Sequence, residues 1–413
     1  MEACIAYAQK HGTAIRKQLI ETDNALLDRQ TALAGFLPKV SGAVSTQYSW
    51  GRNVDPQTNT YNTVNTFNNY YQLEASLTLF DGGSTWAAYR RALMSRRQQL
   101  NELDRIRLDH QTEVMTKFVD AVYYGKMTTL MTEKLDDSRQ LLQKTQRMET
   151  LGMKSLPDVA QAEAQVAEDE YNLVHHQHLH AAALMSLKSA MNYPLADSLT
   201  IDTTTINRIV RPTDAATIYA SASLYHPQAL AAYYSQQVAV SEYRQQRGSL
   251  FPRLSLSAGV STNYYRNLSS RAASASFGSQ FHNNMGEYVY ASVSIPLFNY
   301  ALYSGLRRAR NKIRMAEIDR EETLRRLHDD IYQAIMDRNG YAGELRQMQR
   351  KVGSDSLAWH LSRRKYEEGM LSVFDLRTSA NTLLESRTRL LQMQMMYVVK
   401  SRLVESFETG TTK

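Results

Sequence analysis

LTLFDGGSTWAAYRRA, residues 77–92, runs from an alternating apolar segment through Asp81-Gly82-Gly83 into a charged one, and IPLFNYALYSGLRRAR, residues 295–310, follows the same plan. The Leu-Phe pair is Leu79-Phe80 in the first copy and Leu297-Phe298 in the second, an offset of 297 − 79 = 218 in a chain of 413 residues. A strand-to-helix boundary used twice, half a chain apart, marks an internal duplication.

Upstream of each boundary, two segments alternate with period two. Val40, Val44, Thr46, Tyr48 and Trp50 share one side against Ser41, Ala43, Ser45, Gln47 and Ser49, and Tyr71, Leu73, Ala75, Leu77 and Leu79 oppose Gln72, Glu74, Ser76 and Thr78. In the second copy Leu254, Leu256, Ala258, Val260, Thr262 and Tyr264 oppose Ser255, Ser257, Gly259, Ser261 and Asn263, while Val289, Ala291, Val293 and Ile295 oppose Tyr290, Ser292 and Ser294. Each segment is about ten residues, the length of a tilted strand that crosses a bilayer. Four strands are expected, at 36–50, 70–80, 252–265 and 287–298, with polar hairpin loops at 51–69 and 266–287. Tyr48, Trp50, Tyr70, Tyr71, Tyr264, Tyr265, Tyr288 and Tyr290 gather near strand ends, where a membrane barrel carries its aromatic girdles.

Downstream, Asp81 and Asn299 are suitable N-caps for long helices at 82–150 and 300–367, neither containing proline. At 1.5 Å per residue each would reach roughly 100 Å, far beyond a globular domain. Apolar residues keep helical spacing at Met115, Phe118, Val119, Val122, Tyr123, Met127 and Leu130, and at Leu324, Leu327, Ile331 and Ile335. Near the C-terminus the period is seven, with Leu376, Leu383, Leu390 and Tyr397 on one seam and Leu384, Leu391 and Val398 on the next. Two adjacent heptad seams call for a helical neighbour on each side. Short glycine turns lead into return helices at 157–191 and 373–408; Gly152 aligns with Gly369 and Asp158 with Asp375, since 369 − 152 = 375 − 158 = 217. The chain therefore divides into a first repeat at 1–191 and a second at 213–408, each opening on a helix. Between them lies an irregular linker at 192–212, with a tail at 409–413.

Composition agrees with long elements: 8 Pro and 18 Gly are too few for many short ones, and 43% hydrophobic content supplies a core. No run approaches the roughly 18 apolar residues of a spanning helix, but that measure does not see a barrel, whose strands alternate. The net charge of +7 is spread among Asp and Glu along helical stretches, a solvated surface and not a nucleic-acid footprint. The single cysteine, Cys4, excludes an internal disulfide and a cysteine-rich metal site. Its two readings are a small apolar residue on the first helix and a lipid-bearing residue exposed by signal cleavage. Met1 is followed at once by Glu-Ala-Cys with no apolar stretch, so an export signal is expected to have been removed.

Four strands cannot close a tube, since the smallest membrane barrels have about eight, and open edges cannot face lipid. Two copies would give eight strands and three would give twelve; the small polar set of Ser, Gly, Ala, Thr and Asn suits the wider, open conduit.

The duplicated order of strand hairpin, LF(D/N) junction, long helix and G-x-x-S-(hydrophobic)-x-D turn resembles the TolC family of outer-membrane efflux factors over essentially the whole chain. The match includes the opening ACIAYAQKHG, similar to Bacteroidetes-type members, and the LPKVS and FPRLS strand starts. The resemblance implies a mainly α fold with a membrane β portion: a homotrimer sharing a twelve-stranded barrel in the outer-membrane lipid of a Gram-negative bacterium, continued by a coiled-coil α-barrel through the periplasm. Its implied partners are a periplasmic adaptor (membrane fusion) protein and an inner-membrane pump of RND or ABC type, with no cofactor.

Carried over residue by residue, the resemblance makes Asp375 the acidic ring of the closed aperture, while Thr378 occupies the position of the second acidic ring. Tyr366 matches the tyrosine that holds the aperture shut and Asp158 its acidic partner. Leu371 and Pro157 stand where the family has an arginine and its threonine partner, so apolar contact is expected to replace an ion network. For Asp158 and Asp375 the competing reading is charge compensation in a first helical turn. Leu151, Gly152, Met153, Gly369, Met370 and Ser372 become adaptor-binding tips, where glycine also serves the turn itself. Arg90, Arg91, Arg96 and Arg97 after the first junction match Arg307, Arg308, Arg310, Lys312 and Arg314 after the second. Trp50, Trp86, Arg90, Arg91, Arg307 and Arg308 are expected at the membrane interfaces, against the alternative of solvated faces paired with acids.

His175, His176, His178 and His180 lack an accompanying carboxylate motif, so no metal site is expected, and no nucleophile elbow, phosphate loop or catalytic carboxylate pair occurs. The leading reading is a passive efflux duct and not an enzyme. Its rivals are an exit duct for type I protein secretion and a soluble coiled-coil scaffold capped by four strands.

Overall fold

The computed structural model describes residues 1–55, 59–201, 214–269 and 275–409. Each repeat opens on two helices where one was expected: α1 (Glu2–His11) and α2 (Thr13–Ala34), then α5 (Ala215–Tyr225) and α6 (Pro227–Gly248). The breaks have local causes. Gly12 takes an extended ψ of 125°, and His226, with ψ 134°, is held extended by the ring of the following Pro227.

There are six strands among the described residues, not four. β1 (Lys39–Ser49), β4 (Thr66–Phe80), β5 (Arg253–Asn267) and β6 (Gly286–Ser294) form one antiparallel sheet. β2 (Arg52–Asp55) and β3 (Thr60–Thr63) make a separate hairpin inside the expected loop at 51–69, and α7 (Phe277–Asn283) lies inside the loop at 266–287. β6 ends at Ser294, short of 298, because Pro296 has no N–H for a ladder.

The sheet order is β1-β4-β5-β6, so its central pair joins the two halves of the sequence. Its register settles the faces. Val40 pairs with Ala75, Ala75 with Ala258 and Ala258 with Val289, while Ser41 pairs with Glu74, Glu74 with Gly259 and Gly259 with Tyr288. One face is thus apolar across all four strands and the other polar, as alternation requires once register is fixed. The charged members of the apolar face, Arg266 and Glu287, belong to the loop ends of β5 and β6.

The long helices are α3 (Ser84–Thr150) and α8 (Tyr300–Glu367), with return helices α4 (Leu156–Met191) and α9 (Val373–Thr409). α3 starts two residues later than expected: Gly82 and Gly83 take φ of 66° and 82°. The Asp81 carboxylate then accepts from the Thr85 backbone N–H at 2.8 Å. α8 begins after Asn299, whose Oδ1 accepts from the Ala301 N–H. Of the expected linker, 202–212 lies outside the described residues, as do 410–413 of the tail.

Two compact units result, and neither coincides with a repeat: Met1–Thr22, Gln99–Ala232 and Arg320–Lys413 form one, Asp23–Gln98 and Tyr233–Asp319 the other. The first is helical. Its largest core sets Phe118, Val119, Val122, Met127 and Met131 of α3 against Ile5 and Ala8 of α1, Leu187 and Met191 of α4, and Leu391 and Met395 of α9. A second core joins Leu327, Ile331 and Ile335 of α8 to Ile218 and Ala222 of α5 and to Val404 and Phe407 of α9. The second unit holds the sheet with the helical segments that flank the two boundaries.

Candidate functional site

The α3–α4 and α8–α9 turns are built alike. At the first, Met153 N–H donates to Met148 C=O and Gly152 N–H to Glu149 C=O; at the second, Met370 N–H donates to Lys365 C=O and Gly369 N–H to Tyr366 C=O. Each is a Schellman closure around a left-handed glycine, Gly152 with φ 74° and Gly369 with φ 77°. The return helices are capped by Ser155 and Ser372. The Ser155 N–H and hydroxyl both reach Asp158 Oδ2, at 3.0 and 2.7 Å, and Ser372 Oγ donates to Asp375 Oδ2 at 2.7 Å while accepting from the Asp375 N–H. Both candidate gate acids therefore sit at equivalent third helical positions of their caps. The two Ser155 hydrogen bonds hold the Asp158 carboxyl below the usual aspartate range. Asp375 and Thr378 are exposed, as are Leu151, Met153, Met370 and Ser372.

Tyr366 is at 0% exposure, in a small core with Val373, Leu376, Leu141 and Leu371. Its hydroxyl shares a 2.8 Å hydrogen bond with Thr145 Oγ1 on α3, equally buried. The Asp158 carboxylate is engaged by Ser155, and the Lys154 ammonium stands 4.7 Å from the Tyr366 ring centre. Burial raises the phenol above its usual range, and the nearby Asp158 charge adds to that. Leu371 packs against this small core, and the hydroxyl bond to Thr145 is one the sequence did not announce.

Sequence reasoning also missed Asp169. This carboxylate, 1% exposed on α4, meets Lys134 at 3.0 Å, Ser138 at 2.5 Å and Gln165 at 3.0 Å. Lys134 continues to Asn381 on α9, tying the two hairpins together. Both charges lie within mixed polar stretches, and only the third dimension shows that they face each other. A cavity of about 450 Å³ opens beside them, lined by Leu130, Leu141, Trp359, Tyr366, Leu376 and Leu384 among others.

In the sheet unit, Trp50 stands just past the loop end of β1 at 72% exposure, stacked on Tyr48, and Trp86 stands at the junction end, exposed beside Phe36 and Tyr89. Eleven residues of β1 separate these ends, about 37 Å along the strand and about 26 Å across a bilayer at 45° tilt. Arg90, Arg91, Arg307 and Arg308 are exposed and make no ion pair among the described residues. Lys312 does pair, with Glu242 at 2.6 Å, and the Arg97 guanidinium lies 6.0 Å from the Tyr234 ring centre.

His175 stacks on Tyr171, and Gly125 leaves room for His180. Burial, reinforced by His175, lowers the His176 imidazole. No metal-holding cluster occurs among the described residues, and none of their helices is long and apolar enough to cross a membrane. The Cys4 thiol is half-buried against the α1 core, which pushes it up.

The profile of the outer membrane efflux protein family matches residues 5–193 and 218–401. This chain belongs to that family. It is an outer-membrane exit duct for efflux. VceC from Vibrio cholerae is similar with a TM-score of 0.86 at 16% identity, over 98% of this chain and 95% of that one. CusC is similar with a TM-score of 0.83 at 17% identity, over 98% and 91%. The CmeC channel of Campylobacter jejuni is similar with a TM-score of 0.84 at 15% identity, over 99% and 86%. At such identities the likeness speaks for the fold. Among curated protein sequences none matches.

Proposed function

We propose that the efflux protein works as a homotrimer. Three four-stranded sheets close one twelve-stranded barrel in the outer membrane, and the paired helical hairpins extend into the periplasm to meet an adaptor and an inner-membrane pump. One observation carries this reading: β1 and β6 are unpaired edges of a sheet whose apolar face is continuous across all four strands. Such edges cannot face lipid, where each orphaned backbone group costs several kcal/mol, so each β6 needs the β1 of a second copy. Arg90, Arg91, Arg307 and Arg308, which make no ion pair among the described residues, and the two exposed tryptophans support a bilayer around the sheet.

The turns at Gly152 and Gly369 serve as adaptor-binding tips, and Asp375 lines the aperture they surround. The closed tip is held by Tyr366 on Thr145, with Lys154 over the ring and Leu371 beneath. Conductance in planar bilayers tests both halves of this reading. Wild-type trimers should conduct little, and Tyr366→Phe or Asp375→Ala should conduct more. If purified protein stays monodisperse without detergent as a single copy and never conducts, the trimeric barrel reading fails.

A further inference from the structure

The polar face of the sheet is not made only of small residues. Glu74 on β4, Gly259 on β5 and Tyr288 on β6 share one register row. Tyr288 crosses the glycine, and its hydroxyl donates to Glu74 Oε2 at 3.0 Å. Gln72 Nε2 donates to the same carboxylate oxygen at 2.9 Å and to the Tyr288 hydroxyl at 2.7 Å. Gly259 leaves the path open: a Cβ there would stand 2.6 Å from the Tyr288 hydroxyl oxygen. Residues of three strands thus position one carboxylate on an otherwise open wall.

Among the strand residues of that face Glu74 is the only acid. Lys39 lies one row nearer the junction, paired with Ser76, and Arg253 lies three rows nearer, donating to Thr78 Oγ1 at 2.9 Å. Neither forms an ion pair with Glu74.

We propose that Glu74 is a charge-selecting residue of the pore wall. This rests on the trimeric barrel reading, in which the polar face lines the lumen. Three copies make an anionic ring that draws cationic solutes, and the Lys39 and Arg253 band behind it turns the wall into a charge step. Twelve strands spaced about 4.8 Å and tilted about 40° give a backbone radius of about 12 Å. A glutamate reaching about 5 Å inward holds its charge about 7 Å from the axis, within the Debye length of about 8 Å at 0.15 M salt. The ring is felt across the whole lumen at that salt and fades at 1 M, where the Debye length is about 3 Å. A step from negative to positive along a conduit also makes current depend on the sign of the voltage.

Reversal potentials in a KCl gradient, measured on trimers that all carry Asp375→Ala so that the tip does not limit the current, test this. Glu74→Gln should lower the K⁺ over Cl⁻ permeability ratio about threefold at 0.1 M salt, with the difference vanishing at 1 M. Lys39→Gln should move the ratio the other way, and both variants should reduce rectification. In a Cys4→Ser background, Glu74→Cys should react with a sulfonate-bearing thiosulfonate reagent from the aqueous side, and Leu73→Cys on the opposite face should not. An unchanged ratio in Glu74→Gln, in trimers that conduct like the Asp375→Ala parent, overturns the role of Glu74 and leaves the channel intact. Labelling of Leu73→Cys but not Glu74→Cys shows that the polar face is not the lumen, and overturns the barrel reading with it.

Discussion

Tyr366 and Asp158 show how much a residue's role depends on what surrounds it. A tyrosine and an aspartate on facing hairpins invite a direct bond, yet the serine before α4 claims the aspartate and the phenol turns to Thr145. Removing one buried hydrogen bond costs about 1 kcal/mol. A double-mutant cycle of Tyr366→Phe with Thr145→Val, read by chemical unfolding, should therefore give a coupling of about that size, whereas pairing Tyr366→Phe with Asp158→Asn should give much less. His226 makes a pH prediction. It is buried against Phe407, and burial depresses its imidazole to about 4. A depressed histidine is held neutral by the fold, so its contribution is full above about pH 6.5 and is lost as pH falls toward 4. Between pH 7.5 and 5 the wild-type Tm should fall further than that of His226→Phe; equal falls would remove His226 as the cause.

At the scale of elements, the turns and caps were the most legible parts of the chain. The shared glycines, the serines three residues on and the acids three residues after those report local chemistry that acts within five or six residues, and the two tips form the same closure. Gly152→Ala and Gly369→Ala force a side chain into the left-handed region, each costing about 1 kcal/mol. Because the geometry is equal, the two substitutions should cost equal amounts, measured as shifts of the unfolding midpoint. Helix breaks at Gly12 and Pro227 were misread because an amphipathic pattern continues through them. The strand limits erred at 66 and 294 because alternation fades before pairing ends on one strand, and a proline stops pairing early on another. On the helical side, Leu327 has no exposed surface between α5, α8 and α9. Truncation to Ala should cost about 2 to 5 kcal/mol, enough to lower the yield of folded protein.

For the whole molecule, duplication decides the plan while contacts ignore the duplication: each compact unit draws on both repeats, and the central strand pair spans residues 66–80 and 253–267. Neither half should therefore be stable alone. Expressed separately, residues 1–191 should yield no folded barrel unit, and co-expression with 213–408 should restore it; a folded isolated half would contradict the interleaving. The sequence by itself determined the long helices, the four strands of the sheet with their apolar and polar faces, the two boundaries and the paired glycine turns, though not the short β2–β3 hairpin or α7. These follow from periodicity and from chemistry between near neighbours, which a linear reading contains. Only the tertiary structure decided the strand order β1-β4-β5-β6, the bond from Tyr366 to Thr145, the pairing of Lys134 with the buried Asp169 and the row that carries Tyr288 over Gly259 to Glu74. Each joins residues tens to hundreds of positions apart, and which distant partner a side chain meets is set by register and packing, quantities that no local pattern encodes.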